Sequence, residues 1–392
     1  MIKVGIDKIA FYTSHYYLDL ADLAKIRGID PDKYFIGLGQ LKMAVPPPDE
    51  DIITMAANAG ARALLDETLD DIEMLMFATE SGVDQSKAAG IYVHDLLNLP
   101  SRCRVIELKQ ACYSATFSLQ MAIPFLRQHP DKKVLLIASD VARYGLGSVG
   151  ESSQGCGAVA MLLSANPRIL AFDTEYGVVT ENVMDFWRPN YSDTAFVEGK
   201  YSSKLYLNML EKSWQQYKAL SGRLFADHAY YCYHTPVPKL VEKAHQQLAK
   251  FNQVDKLKID EIRAHVGHSL EYAKNIGNSY TASLYIGLTA LLDLAQEDLS
   301  DKRIGFYSYG SGCVAEFFSG VVQPGYRKML DTQFHHDLLA KRKALNYAEY
   351  EHFYKFYLPQ DGSYCKTPIY ETGQFRLAAM HEHKRLYEKI TA

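Results

Sequence analysis

The sequence predicts an α/β protein, on two observations. In its first half, short uninterrupted apolar runs of strand length (EMLMFAT, CRVIEL, VLLIAS, GAVAMLLS) alternate with helical repeats, the pattern of buried strands covered by helices. The second half loosely repeats the plan: AYYCYH, a helix from about Lys239, NSYTASLYIGLTALLDLA, GFYSYG and CVAEFFSGV. At 392 residues and 48% hydrophobic content the chain can bury a large core, arranged as two domains or as two halves of one unit.

Taken in order, DIITMAANAGARALL puts Ile53, Ala57, Ala61 and Leu64 on one helical face. EMLMFATESG places Glu80 at the end of an apolar strand. In ELKQACYSATFSLQMAIPFL a strand over Cys103–Leu108 runs into Cys112 and then into a helix carrying Ala115, Leu119, Ala122 and Leu126 at helical spacing, which Pro124 should kink. Cys112 therefore belongs at the first turn, where unpaired N–H groups and the helix dipole favour a thiolate. The Gly/Ser-rich DVARYGLGSVGESSQGCG reads as a loop whose Tyr144 is either a pocket wall or a surface aromatic. Pro and Asn in SANPRIL mark the change of halves near 165–175, giving 1–170 with Glu80 and Cys112, and 171–392 with His234, Asn278 and Ser311. TENVMDFWRPNYSDTAFVEGKYSS is long, polar and aromatic, as an access loop or lid would be.

HAYYCYHTPVPK ends a second apolar strand on His234, which the loose repeat aligns with Glu80 just as it aligns the helix start at Asn278 with that at Cys112. Asn278 has the residue type of a helix cap. Lys239 and Lys243 lie one turn apart and read by default as a solvated helix face. The tail from His335 to Ala392 is rich in Tyr, His and charge, and KALNYAEYEHFYKFYLP reads as half exposed.

Bulk properties exclude several classes. Lys+Arg 42 against Asp+Glu 46, a net charge of −4, argues against nucleic acid as the main partner. MIKVGIDKIAF has no apolar signal core and no window approaches a membrane span, so a cytoplasmic protein is expected. Six cysteines without C-x-x-C spacing read as free thiols, and thirteen histidines without H-E-x-x-H, including the pair His265 and His268, argue against a metal site.

A helix-start cysteine with a carboxylate and an imidazole at strand ends supplies a nucleophile, a base and an electrophile. These three segments, with NIGNSYTASLY around Asn278 and GFYSYGSGCVAEFF around Ser311, resemble the 3-hydroxy-3-methylglutaryl-CoA synthases of the thiolase superfamily in their shorter bacterial form. The resemblance runs from GIDKIAFY to about residue 322. It implies a thiolase fold, two similar α/β halves in αβαβα layers about a pseudo-two-fold axis, and a homodimer. It also implies condensation of acetyl-CoA with acetoacetyl-CoA and water, on the mevalonate route, with no cofactor beyond the CoA substrates. Cys112 would carry the acetyl group, Glu80 would be the general acid/base and His234 would polarise acetoacetyl-CoA. Asn278 would orient the acceptor thioester, the backbone N–H groups of Cys112 and Ser311 would steady an oxyanion, and Lys239 and Lys243 would meet CoA phosphates. Glu80 as the base, and the absence of a C-x-G cysteine around Cys313, separate the chain from ketoacyl-ACP synthases and biosynthetic thiolases. A ketoacyl-type synthase using ACP-linked substrates, a noncatalytic acyl-CoA-binding protein and a Cys-His hydrolase stand as alternatives.

Overall fold

The computed structural model describes residues 2–254 and 257–390. In chain order the first half forms β1 (Val4–Tyr12), β2 (Tyr16–Asp19), α1 (Leu20–Arg27), α2 (Asp32–Phe35), β3 (Lys42–Ala44), α3 (Ile52–Ala63), β4 (Ile72–Ala78), α4 (Ala89–Leu96), β5 (Arg104–Leu108), α5 (Ser114–Gln128), β6 (Lys133–Ala142) and β7 (Gly155–Ala165). Then follow β8 (Leu170–Thr180), β9 (Phe186–Trp187), β10 (Phe196–Val197), α6 (Gly199–Ser221), β11 (Tyr230–Tyr233), α7 (Pro238–Phe251), α8 (Ile259–Ile276), α9 (Ser283–Leu294), β12 (Arg303–Gly310) and β13 (Val314–Val322). The tail adds α10 (Thr332–Ala340), β14 (Lys343–Ala344), α11 (Tyr347–Tyr354), β15 (Cys365–Lys366), β16 (Phe375–His381) and β17 (Lys384–Lys389).

Nine strands join in the order β11-β12-β13-β8-β1-β7-β6-β4-β5. Outward from the central β1–β8 contact, both runs begin with antiparallel pairs and end with parallel ones. What repeats between the two stretches of sequence is therefore their connectivity, with no counterpart of β5 on the second side among the described residues. Strands β6 and β7 are buried almost throughout, α3, α5 and α9 all pack on β7, and the apolar runs of the sequence reflect that double cover. Helix α3 starts at Asp51, whose carboxylate accepts from the N–H groups of Ile53 (2.9 Å) and Thr54 (3.1 Å). Helix α5 buries Ala115, Leu119, Ala122 and Leu126, as the spacing predicts, and runs on through Pro124.

Two expectations need correction. The polar segment 180–203 is a small hairpin, β9 against β10, that leads straight into the 23-residue α6. That helix buries Leu205, Tyr206, Met209, Leu210, Ser213, Trp214 and Tyr217 at helical spacing, masked in the sequence by interleaved Lys, Gln and Ser. The segment 343–359 of the tail is half exposed, as expected, and a few buried side chains anchor it. Strand β14 pairs in parallel with β2, and Tyr350 and Phe353 enter a cluster with Leu18, Leu23 and Met43. Tyr350 tolerates this because its hydroxyl accepts from Gln154 Nε2 at 2.8 Å, so no polar group is orphaned. Residues 391 and 392 of the tail lie outside the described residues. The strand before Cys112 is also less buried than its apolar letters imply, because β5 is the outermost strand of the sheet.

Candidate active site

Parallel strands deliver side chains to their carboxyl ends, and both candidate polar groups arrive that way. Glu80 stands two residues beyond β4 and His234 one residue beyond β11. Cys112 sits in the turn between β5 and α5, two residues before the helix, and follows Ala111, whose φ of 43° is left-handed. Non-glycine residues hold that conformation at a cost of roughly 1–2 kcal/mol, so tertiary contacts must impose it. One such contact is visible: a Cβ on Gly310 would stand 2.6 Å from the Gln110 carbonyl oxygen and 2.7 Å from the Tyr113 nitrogen. Only glycine lets the end of β12 press on the cysteine turn, and this brings Ser311 beside it, its carbonyl accepting from Gln110 Nε2 at 3.1 Å.

The Cys112 thiol donates to Glu80 Oε1 at 3.0 Å. Withdrawal from water, reinforced by the charge of Asp140, pushes the Glu80 carboxyl up to about 8 despite the hydrogen bond from Cys112 and the nearby Arg188. The thiol is pushed well above its ordinary value, by burial first and then by the negative charge of Glu80 and Asp140. The expectation of a thiolate favoured by the helix dipole is thus overturned: the partial charge of a helix end is smaller than the combined effect of burial and two facing carboxylates. The pair is therefore a thiol held against a carboxyl group.

Asp140, at the end of β6 and fully buried, anchors this region. Its Oδ1 accepts from Thr79 Oγ1 (2.7 Å) and from the N–H groups of Glu80 and Ser81 (both 2.9 Å). Its Oδ2 accepts from the Thr281 N–H (3.0 Å) and the Thr281 hydroxyl. One carboxylate therefore joins the Glu80 strand of the first half to the start of α9 in the second. Two residues beyond Thr281, Ser283 Oγ lies 2.7 Å from His234 Nδ1. His234 is 3% exposed, its N–H donates to the Tyr307 carbonyl (2.8 Å), and its own carbonyl accepts from Tyr206 Oη (2.8 Å). Burial alone pulls its imidazole down to about 3, so the ring is neutral at physiological pH.

Asn278 closes a local turn ahead of α9: its Oδ1 accepts from the Tyr280 N–H two residues on (2.9 Å), while Nδ2 donates to Tyr144 Oη (3.0 Å). Tyr144 is not a free surface aromatic: its ring packs edge-on against Phe186 and Tyr280. Glu80, Gln110, Ala111, Tyr280 and Ser311 line one cleft of about 1590 Å³, with the β9–β10 hairpin as one wall. Lys239 and Lys243 are not brought to it. Lys239 pairs with Glu242 at 2.6 Å on α7, and Lys243 is exposed. Cys103, Cys156, Cys232 and Cys313 are buried free thiols.

Sequence reasoning missed Asp140, Thr281, Ser283 and Arg188, whose guanidinium donates to the Glu80 carbonyl. A charged residue closing the apolar run VLLIAS was a signal for Asp140. Nothing in the sequence pointed to Arg188.

The hydroxymethylglutaryl-coenzyme A synthase N-terminal family matches residues 2–168 and the corresponding C-terminal family residues 246–356. The chain is 43% identical to a hydroxymethylglutaryl-CoA synthase of Enterococcus faecalis over 350 residues, 89% of this chain and 91% of that one. It is 34% identical to a polyketide biosynthesis 3-hydroxy-3-methylglutaryl-ACP synthase of Bacillus subtilis, over 91% of this chain and 89% of that one. Among solved structures, an HMG-CoA synthase complexed with CoA superposes with a TM-score of 0.93 at 40% identity, covering 99% of this chain and 100% of the other. A structure in complex with 3-hydroxy-3-methylglutaryl coenzyme A gives 0.90 at 35% identity, with 99% of both chains covered. The fold is the layered thiolase fold that the motifs implied. The chain belongs to the hydroxymethylglutaryl-CoA synthase family, enzymes that condense acyl-CoA thioesters.

Proposed function

We propose that the site joins acetyl-CoA to acetoacetyl-CoA through an acetyl group carried on Cys112, the synthase reaction of the mevalonate route. The observation that carries this reading is the 3.0 Å contact of Cys112 Sγ with Glu80 Oε1. Glu80 takes the thiol proton as sulfur attacks the acetyl-CoA carbonyl, and the departing CoA sulfur is protonated in turn. A carboxylate moved out of water is then basic enough to remove a proton from the acetyl methyl group, which the thioester acidifies. The resulting enolate carbon attacks the ketone carbon of acetoacetyl-CoA while His234 donates a hydrogen bond to the ketone oxygen. Water finally cleaves the Cys112 thioester and frees HMG-CoA. The proton that Glu80 takes from the methyl group ends on the new alkoxide, so the sequence consumes one water, releases one CoA from acetyl-CoA and requires no cofactor. Asn278 and Tyr144 form one wall for the acceptor, the backbone N–H groups of Cys112 and Ser311 serve the oxyanion, and Lys239 and Lys243 on their separate helix face meet CoA phosphates. Intact-protein mass spectrometry after mixing with acetyl-CoA alone tests the reading: one acetyl group on the Cys112 peptide supports it. Continuous release of CoA without an acceptor would mark a hydrolase, and binding without acylation a carrier. Efficient labelling only by acetyl-ACP would favour the carrier-protein reading that the Bacillus relative raises.

We divide the chain at 170/171 and place it in the cytoplasm. Free thiols suit a reducing compartment, and among the described residues no helix is long and apolar enough to cross a membrane. We also assign it a homodimer. Edge strand β5 leaves backbone groups unpaired, and Ile106 (54% exposed), Phe117 (43%), Met121 (53%) and Tyr176 (44%) line one groove beside it. A second copy covers both features at once. Ile106→Asp with Met121→Arg is expected to give a monomer by sedimentation velocity, and an unchanged dimer would refute this surface.

A further inference from the structure

The hydrogen-bonding around His234 carries a consequence that depends on the acceptor role given to it above. A ketone oxygen can be polarised only by an N–H, so the catalytic value of a neutral imidazole depends on which nitrogen holds its single proton. Ser283 is the first residue of α9 and is buried. Its Oγ has two partners among the described residues. The Thr235 N–H donates into it at 3.2 Å, and His234 Nδ1 lies 2.7 Å away. With one lone pair occupied by the amide, the hydroxyl proton has a single acceptor in reach, Nδ1. If Nδ1 donated instead, a buried O–H would be left without a partner, which folded proteins avoid.

We propose that Ser283 is a positioning residue for the condensation step: its hydroxyl donates to Nδ1 of His234 and thereby fixes the ring proton on Nε2, where it faces the acceptor carbonyl. The logic inverts that of a catalytic triad. There a carboxylate accepts from Nδ1–H and leaves Nε2 bare as a base. Here a donor on Nδ1 makes Nε2 a donor, and because serine is uncharged the ring remains neutral. The backbone supports the same orientation from both sides, through Tyr307 and Tyr206. Thr281, two residues before Ser283, is tied by Asp140 to the Glu80 strand, so tautomer control and base share one scaffold.

The test separates acetylation from condensation in Ser283→Ala, Ser283→Thr and His234→Ala, by rapid quench of acetyl-enzyme and of HMG-CoA in one sample. Nitrogen-15 NMR of histidine-labelled wild-type protein reads the His234 tautomer directly. The expected result is a single Nε2–H tautomer in the wild type. Ser283→Ala should acetylate within about twofold of normal and lose roughly ten- to hundredfold in condensation, the range for one hydrogen bond acting through a reacting carbonyl. Ser283→Thr, which keeps the hydroxyl, should recover most of that loss. A proton on Nδ1 in the wild type, unchanged condensation in Ser283→Ala, or equal loss of both steps would overturn the proposal. His234→Ala distinguishes the two levels: full condensation in that variant refutes the acceptor role of His234 itself, whereas a defect there beside a normal Ser283→Ala refutes only the part given to serine.

Discussion

Cys112→Ser is expected to abolish acetyl-enzyme formation and to lower HMG-CoA production by roughly 10⁴-fold or more, with the fold intact. The substitution keeps a hydrogen-bond donor toward Glu80, so packing changes little. A serine hydroxyl, however, is far less acidic than a thiol, and this site already raises even the thiol. A carboxyl poised at about 8 cannot deprotonate it appreciably. Intact-mass analysis after exposure to acetyl-CoA, together with a steady-state assay, reads both effects. A serine variant that kept more than a few per cent of activity would place the nucleophile elsewhere.

Glu80→Gln should divide the reaction rather than erase it. Glutamine removes the proton acceptor for the thiol but also the charge that raises it, and the two changes partly offset each other for acetylation. No such compensation exists for the methyl carbon. Acetyl-Cys112 is therefore expected to form more slowly yet accumulate to about one group per site, while condensation falls by something like 10²–10⁴-fold. The pH profile gives a second reading. A carboxyl raised to about 8 is protonated, and inactive as a base, below that value, so wild-type kcat/KM for acetyl-CoA should climb with pH across neutrality and level off above about 8. The glutamine variant should lose that limb. If acetylation and condensation disappeared together, Glu80 would be supporting the turn and not the chemistry.

The strand ends made the candidate site legible. Glu80, Cys112 and His234 each follow an apolar run of strand length, and a polar or reactive residue at such a point is conspicuous. The sheet order explains why the helix starts at Cys112 and Asn278 looked equivalent, since α5 and α9 lead into β6 and β12, which hold the same rank outward from the centre of the sheet. The acidity of Cys112 was not legible, because it is set first by burial and then by two carboxylates 32 residues before and 28 after it in the chain. Nor was Ser283, a serine among many at a helix start until the fold places an imidazole beside it. Which tyrosine of the half-exposed tail is buried was not legible for a related reason: only the fold brings Gln154 to the Tyr350 hydroxyl.

The position of β1 bears on how the chain is made. Strand β1 becomes the centre of the sheet although both its partners come far later in the chain, pairing Val4 with Ala165 on one side and Gly5 with Ala171 on the other. At ordinary rates of synthesis those partners follow on the order of ten seconds later or more, and until then VGIDKIAFY is an unpaired apolar strand. Strand β2 waits longer still for β14. Slower, cooler expression should therefore raise its soluble yield. A fragment ending at residue 168 would lack β8 altogether and expose β1 as a sticky edge.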